Sequence, residues 1–183
     1  MNEIQEEMKK FSEDILNFHI PRWEELPDIE LYMDQVVTFI EKGFSFFSNS
    51  TNEKIITPSM INNYVKLNLI PKPVKKRYNK THLAYLIAIS ILKHVFTIQE
   101  IRDGIHFQAE LNGEKIAYNT FCVEQEGALK NLIKQLNLGS EVLAPAINFN
   151  TDNIVIRMAT LAFASKIVAE RIIGLKKNHN DDK

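Results

Sequence analysis

The sequence predicts an all-α protein, and three observations carry that prediction. Apolar residues recur three and four positions apart along most of the chain, the period of a helix with one buried face. Helix-start signals stand ahead of such stretches, as in Thr57-Pro58 and in Thr97 with Glu100 three residues on. Breaker-rich segments such as IPKPV and LNGE separate them.

Taken in order, IELYMDQVVTFIEKGF follows Pro27-Asp28 and sets Leu31, Val36, Phe39 and Ile40 near one face, so a helix is expected over 29–42. FSNSTNEK is a polar loop. Thr57 is a side-chain cap and Pro58 sits at the first helical position, where its missing N–H costs nothing. That helix should reach Lys66 or Leu67, with Asn68 in the left-handed conformation that ends helices. Each proline of IPKPV disfavours helix at the residue before it. From Lys80, Leu83, Leu86, Ile87, Ser90, Ile91 and His94 fall on successive turns of a buried helix, and TIQEIRDGI begins a short one. LNGE is a turn. KIAYNTFCVEQEGALKNLIKQLNL reads as a long helix with Tyr118, Cys122, Gln125, Leu129, Leu132 and Leu136 in a 4-3-4-3-4 seam. GSEVLAPAINF reads as a linker with one helical turn. The last helix is expected over 152–175, largely buried, and residues 178–183 form a disordered tail.

The chain has 183 residues, 45% of them hydrophobic and 25% charged, the composition of a globular protein. Its single cysteine, Cys122, excludes an intramolecular disulfide. MNEIQEEMKKFSEDI is acidic without an apolar run, so no signal peptide is expected. NIVIRMATLAFASKIVAERIIGL is interrupted by Arg157, Lys166, Glu170 and Arg171, short of the ~18 apolar residues of a membrane span. A cytoplasmic protein is expected.

The net charge of −1 conceals a segregation. From Lys54 to Gln99 there is no Asp or Glu, while Lys54, Lys66, Lys72, Lys75, Lys76, Arg77, Lys80 and Lys93 give the stretch +8. The other 14 basic and 23 acidic residues leave the remainder at −9. Such a run points to a surface that meets a polyanion. On the helix after Pro58, Ile61, Tyr64 and Val65 share the apolar side with Met60, and Tyr64 is assigned to the core. Ser59, Asn62, Asn63 and Lys66 fall at i, i+3, i+4 and i+7, a polar face with no acid. Asn pairs bidentately with adenine, Ser with several partners, and Lys with phosphate or guanine.

A helix, a loop, this second helix and a basic proline-flanked hairpin follow the order of a winged helix-turn-helix. MINNYVKLNLIPKP resembles the recognition helix and exit of the MerR family of bacterial transcription regulators. Tyr64 matches the helix tyrosine, Asn68 stands where those proteins favour glycine, and Leu69 and Pro71 match the exit. Tyr78 falls at the close of the wing, Leu83 and Leu86 in the next helix, and FTIQEI at the family's Gly-Phe-Ser-Leu-x-Glu-Ile. The chain as a whole, with RWEELPDIELYMDQV and AYNTFCVEQEGAL, resembles a bacterial domain-of-unknown-function family built around such a module. The resemblance implies that Asn62 and Asn63 read base edges, flanked by Ser59 and Lys66. Lys72, Lys75, Lys76 and Arg77 would hold phosphates in the wing, and Lys80 would donate from the next helix.

The organisation expected is an acidic N-terminal arm (1–27), a MerR-like winged helix-turn-helix (28–105), a helical C-terminal region (106–177) and the tail (178–183). The function expected is sequence-specific binding of double-stranded DNA and transcriptional regulation, with helix 58–67 in the major groove and the wing 71–78 on phosphates. Helices 115–137 and 152–175 offer a homodimer interface, and an apolar effector between them is left open. The alternative is a protein-interaction adaptor that keeps the winged fold without reading DNA. The five histidines make no metal-ligand spacing with Cys122 or a carboxylate, and Cys122 reads as a small buried hydrophobe. His82 reads as a surface residue beside the wing. No phosphate loop or nucleophile elbow occurs, so no enzyme, cofactor or metal site is expected.

Overall fold

A computed structural model describes residues 3–48, 54–137 and 153–181. Among them are seven helices and no named strand: α1 (Glu3–Asn17), α2 (Met33–Ser48), α3 (Pro58–Lys66), α4 (Lys80–Leu92), α5 (Ile98–Asn112), α6 (Glu114–Asn137) and α7 (Ile154–Asp181). The all-α class expected from the periodicity is the class observed. No described helix is long and apolar enough to cross a membrane.

The chain divides into two compact units, one of residues 20–122 and one of residues 1–19 with 123–183. This division differs from the expected 28–105 module flanked by an arm. Residues 20–27 belong to the larger unit because α6 holds them. Tyr118 donates its hydroxyl to the Pro21 carbonyl at 2.7 Å, and Trp23 N–H donates to Asn119 Oδ1 at 2.8 Å. Lys115 pairs with Glu24 at 2.5 Å, which draws that exposed carboxyl down to a pKa of about 2. In the smaller unit α1 packs on α7. Arg171 spans the pair, lying 5.7 Å from the Phe11 ring centroid and 3.2 Å from the Glu7 carboxylate.

Within the larger unit the helix boundaries follow their caps. α2 begins at Met33 rather than near Ile29, because the backbone of Leu31 is engaged elsewhere and Gln35 reaches back to accept the Tyr32 N–H at 2.9 Å. Val36, Ile40, Phe44 and Phe47 then form its buried stripe. α3 starts as expected, Thr57 accepting the Met60 N–H with Pro58 at the first position. Asn68 has φ +53, and Asn68 and Leu69 donate to the Val65 and Tyr64 carbonyls, a Schellman ending with asparagine in the glycine place. α5 carries the expected Thr97/Glu100 capping box but runs on to Asn112, where Gly113 at φ +76 ends it. α7 continues to Asp181, into the segment expected to be disordered. α2 runs past the expected 42 to Ser48, into the loop expected over 47–54, because Phe44 and Phe47 extend its buried stripe. Residues 49–53 of that loop and the linker expected over 139–149 lie outside the described residues.

Four members of the seam on α6, Tyr118, Cys122, Gln125 and Leu129, are buried within the chain, whereas Leu136 is 39% exposed. Gln125 is fully buried, and neither its amide oxygen nor its amide nitrogen has a hydrogen-bond partner. An unsatisfied buried polar group costs about 1–3 kcal/mol. Gln125→Met keeps the unbranched shape without the amide, and is expected to stabilise the chain by a free energy of that order in urea denaturation. A lower midpoint would show that the amide is bonded in solution.

Candidate nucleic-acid interface

The surface in question is assembled around α3. Its entry is clamped from two sides: Glu41 on α2 accepts the Ile56 N–H at 3.0 Å, and Lys93, at the C-cap of α4, donates to the Ile55 carbonyl at 2.6 Å. Ile61 and Tyr64 anchor the inner side of the helix, Tyr64 being buried as assigned. The outer side leaves Ser59, Asn62, Asn63 and Lys66 exposed, and these four with Met60 line one open concavity of about 430 Å³.

After the buried Leu69 and Ile70 the chain forms a tight hairpin. Arg77 N–H donates to the Val74 carbonyl at 2.9 Å across Lys75 and Lys76, whose φ values are +50 and +62. Two central residues at positive φ define a type I′ turn, which usually takes Asn-Gly. Here two lysines occupy it, each at a steric cost of roughly 1–2 kcal/mol. Beyond the turn, Tyr78 and Leu31 exchange N–H···O=C bonds of 2.8 Å in each direction. These are isolated bridges, so the basic segment is a pinned hairpin within an all-helical fold.

The nine residues singled out for nucleic acid do not behave alike. Ser59, Asn62, Asn63 and Lys66 are brought together on α3. Lys72, Lys75 and Lys76 are exposed on the hairpin and, with Lys66, have no ion-pair partner among the described residues. Arg77 is exposed but ordered: its guanidinium lies 5.0 Å from the Tyr32 ring centroid, and Nη2 donates to the Tyr32 hydroxyl at 3.1 Å. Lys80 is half-buried and pairs with Asp28 at 2.5 Å, so its charge is already met by an acid. Tyr32, Asp28, Glu41 and Lys93 carry no motif. They act through pairings between segments far apart in sequence, and the only local hint is Tyr32 standing directly ahead of a helix.

His82 corrects the sequence reading, being 4% exposed rather than a surface residue. It completes the capping box of α4, its Nδ1 accepting the Asn79 N–H at 3.1 Å while Asn79 Oδ1 accepts the His82 N–H. Its ring meets Tyr78 edge-on at 5.3 Å. Burial pushes the imidazole pKa below its ordinary 6.5, against an upward pull from the Pro71 and Lys72 carbonyls and from Glu114 and Glu30.

A lowered folded-state pKa means that the neutral ring is favoured by folding. Its contribution is complete above the unfolded value of 6.5 and is lost as pH falls from there through the folded value. The stability of the wild-type chain is expected to fall more steeply between about pH 7 and 5 than that of His82→Gln, which keeps a capping-box acceptor without titrating. Parallel pH profiles would remove His82 as the cause.

Among the described residues there is no group of three His, Cys, Asp or Glu placed to hold a metal ion. No curated protein and no solved structure matches the chain. Residues 21–121 match the family described as Domain of unknown function (DUF1836), a span that nearly coincides with the unit of residues 20–122. That span holds α2 to α5, the hairpin and the start of α6, and it covers more than half of the chain. The chain therefore belongs to the DUF1836 family, and the part that defines its membership is the unit that carries this basic surface.

Proposed function

We propose that the 20–122 unit is a DNA-binding module of the MerR-like winged helix-turn-helix kind and that the chain is a transcriptional regulator. On this reading α3 enters the major groove, Asn62 and Asn63 address base edges, and the hairpin acts as the wing, its lysines lying along the phosphates. One observation carries the reading. The exposed side of α3 gathers two asparagines, a serine and a lysine into a single concavity, inside a stretch of 46 residues without one acid. Asparagine beside lysine is the chemistry of base-edge contact with phosphate support. The turn supports it further, since two unpaired lysines are kept where Asn-Gly would be unstrained.

A palindromic site needs a second copy of the chain. With four of the seam residues of α6 already buried, the surface on offer is the outer stripe of α7. Val155, Met158, Ala162, Ser165, Ala169 and Ile173 are exposed and uncharged there, at spacings of three and four. The adaptor reading draws on one feature, the nine residues between α2 and α3, where a helix-turn-helix has three or four.

Selection of the purified chain against a random duplex library separates the two readings. Asn62→Ala and Asn63→Ala are expected to relax the consensus at individual positions by roughly 1–3 kcal/mol. Lys75→Glu with Lys76→Glu should weaken binding to all sequences alike. No enrichment by the wild-type chain would overturn the regulator reading and leave the adaptor.

A further inference from the structure

We infer that Tyr32 and Arg77 form a built receptor for one backbone phosphate of duplex DNA, with Arg77 as the ligand and Tyr32 as its positioning residue. The inference rests on the DNA-binding reading and deepens it, since Tyr32 belongs to no motif and lies outside the basic run.

The backbone makes the pair. Leu31 and Tyr78 exchange two hydrogen bonds in antiparallel register, so the next residues along each segment, Tyr32 and Arg77, stand opposite one another. Both side chains turn to solvent, and they meet there. The guanidinium lies over the phenol ring at 5.0 Å from its centroid, and the hydroxyl accepts from Nη2 at 3.1 Å. Tyr32 itself is fixed at the start of α2, where Gln35 accepts its N–H. A long side chain that normally samples many rotamers thus has two contacts favouring one of them.

What the pair leaves open decides its ligand. Ring and hydroxyl together engage one face and one nitrogen of a group with five N–H donors. No carboxylate pairs with Arg77 among the described residues, whereas its neighbour Lys80 is matched by Asp28. A planar fork with a free edge, in a run of sequence without an acid, fits a tetrahedral oxyanion bidentately. Lys75 and Lys76, at the adjoining turn, can serve neighbouring phosphates only as mobile point charges. Because ring and hydroxyl already favour this position of the guanidinium, Arg77 meets less of the rotamer cost than a free arginine would.

Binding of a random-sequence duplex across a salt series tests the pair separately from base reading. Loss of one phosphate contact makes the log–log salt slope shallower by about 0.9, equivalent to roughly eightfold weaker binding near 0.1 M salt. Arg77→Ala is expected to show that change. Arg77→Lys should keep the slope and bind several-fold more weakly, as charge is retained and the fork is lost. Tyr32→Phe should likewise keep the slope and bind a few-fold more weakly, because only the positioning hydroxyl is gone. A purely structural role for Arg77 would lower the melting temperature and leave the slope unchanged. If Arg77→Ala keeps the wild-type slope while Lys75→Ala with Lys76→Ala reduces it, the receptor is overturned and DNA binding stands. If the wild-type chain shows no salt-dependent binding, both fall.

Discussion

The exchange of hydrogen bonds between Leu31 and Tyr78 fixes the relation between the segment before α2 and the hairpin after α3. Each backbone donates to the other at 2.8 Å, and neither residue lies in a helix. Three consequences follow along the chain from Tyr78. One step back, Arg77 is set opposite Tyr32. At Tyr78 itself, the buried ring is laid against the edge of His82. One step on, Asn79 is delivered as the cap of α4. The same pair holds Leu31 out of the helix that its apolar periodicity favours, which delays α2 to Met33.

The acid-free character of residues 54–99 has a structural counterpart. Acids needed to hold this region come from outside the run and are used on its inner side or its margins. Glu41 of α2 takes the Ile56 N–H, and Glu114 at the start of α6 takes the hydroxyls of Thr81 and Tyr85 at 3.0 Å each. Desolvation, reinforced by that carboxylate, drives the Tyr85 phenol above its ordinary pKa and keeps it a donor. Asp28 meets Lys80 at the margin. The outward side of α3 and the hairpin carries basic and neutral polar groups and the exposed Val74, and no acid. Exposed charges of one sign repel, and a protein indifferent to anions gains stability by mixing signs there. Turning Glu41 and Glu114 inward while leaving the ammonium groups of Lys66, Lys72, Lys75 and Lys76 outward preserves a positive face at some expense in stability.

What the sequence made legible was local, and what it concealed was not. Thr57, Pro58, Asn68 and the Thr97/Glu100 pair act on backbone within a few residues of themselves, so their chemistry could be read directly and the structure carries each of them. The polar face of α3 was legible for the same reason, since helical spacing alone gathers Ser59, Asn62, Asn63 and Lys66. His82 was misplaced because its burial depends on Tyr78, which is held by Leu31, a residue 51 positions away. Helix α1 goes beyond the acidic arm expected there: Met8, Phe11 and Ile15 repeat at three and four, but the acidic residues between them leave only a narrow apolar stripe as a signal. Strain at Lys75 and Lys76 was beyond reach, because no residue type there announces positive φ.

Helix α6 shows how a correct element can be given the wrong period. The leucines at 129, 132 and 136 complete a 3.5-residue repeat, the spacing of a supercoiled seam. A straight helix turns every 3.6 residues and drifts by about 20° per heptad against that repeat. Burial follows the drift. Tyr118, Cys122 and Leu129 are buried as the seam requires, but one turn on it is Ile133 that is fully buried, while Leu132 is half-buried and Leu136 exposed. Phe121 and Glu126, outside the seam, are buried as well. Burial over so wide an arc marks a core element, whereas a seam would bury one narrow edge. Only a partner helix coiling with α6 enforces a 3.5-residue period, and the burial along α6 follows the straight-helix period.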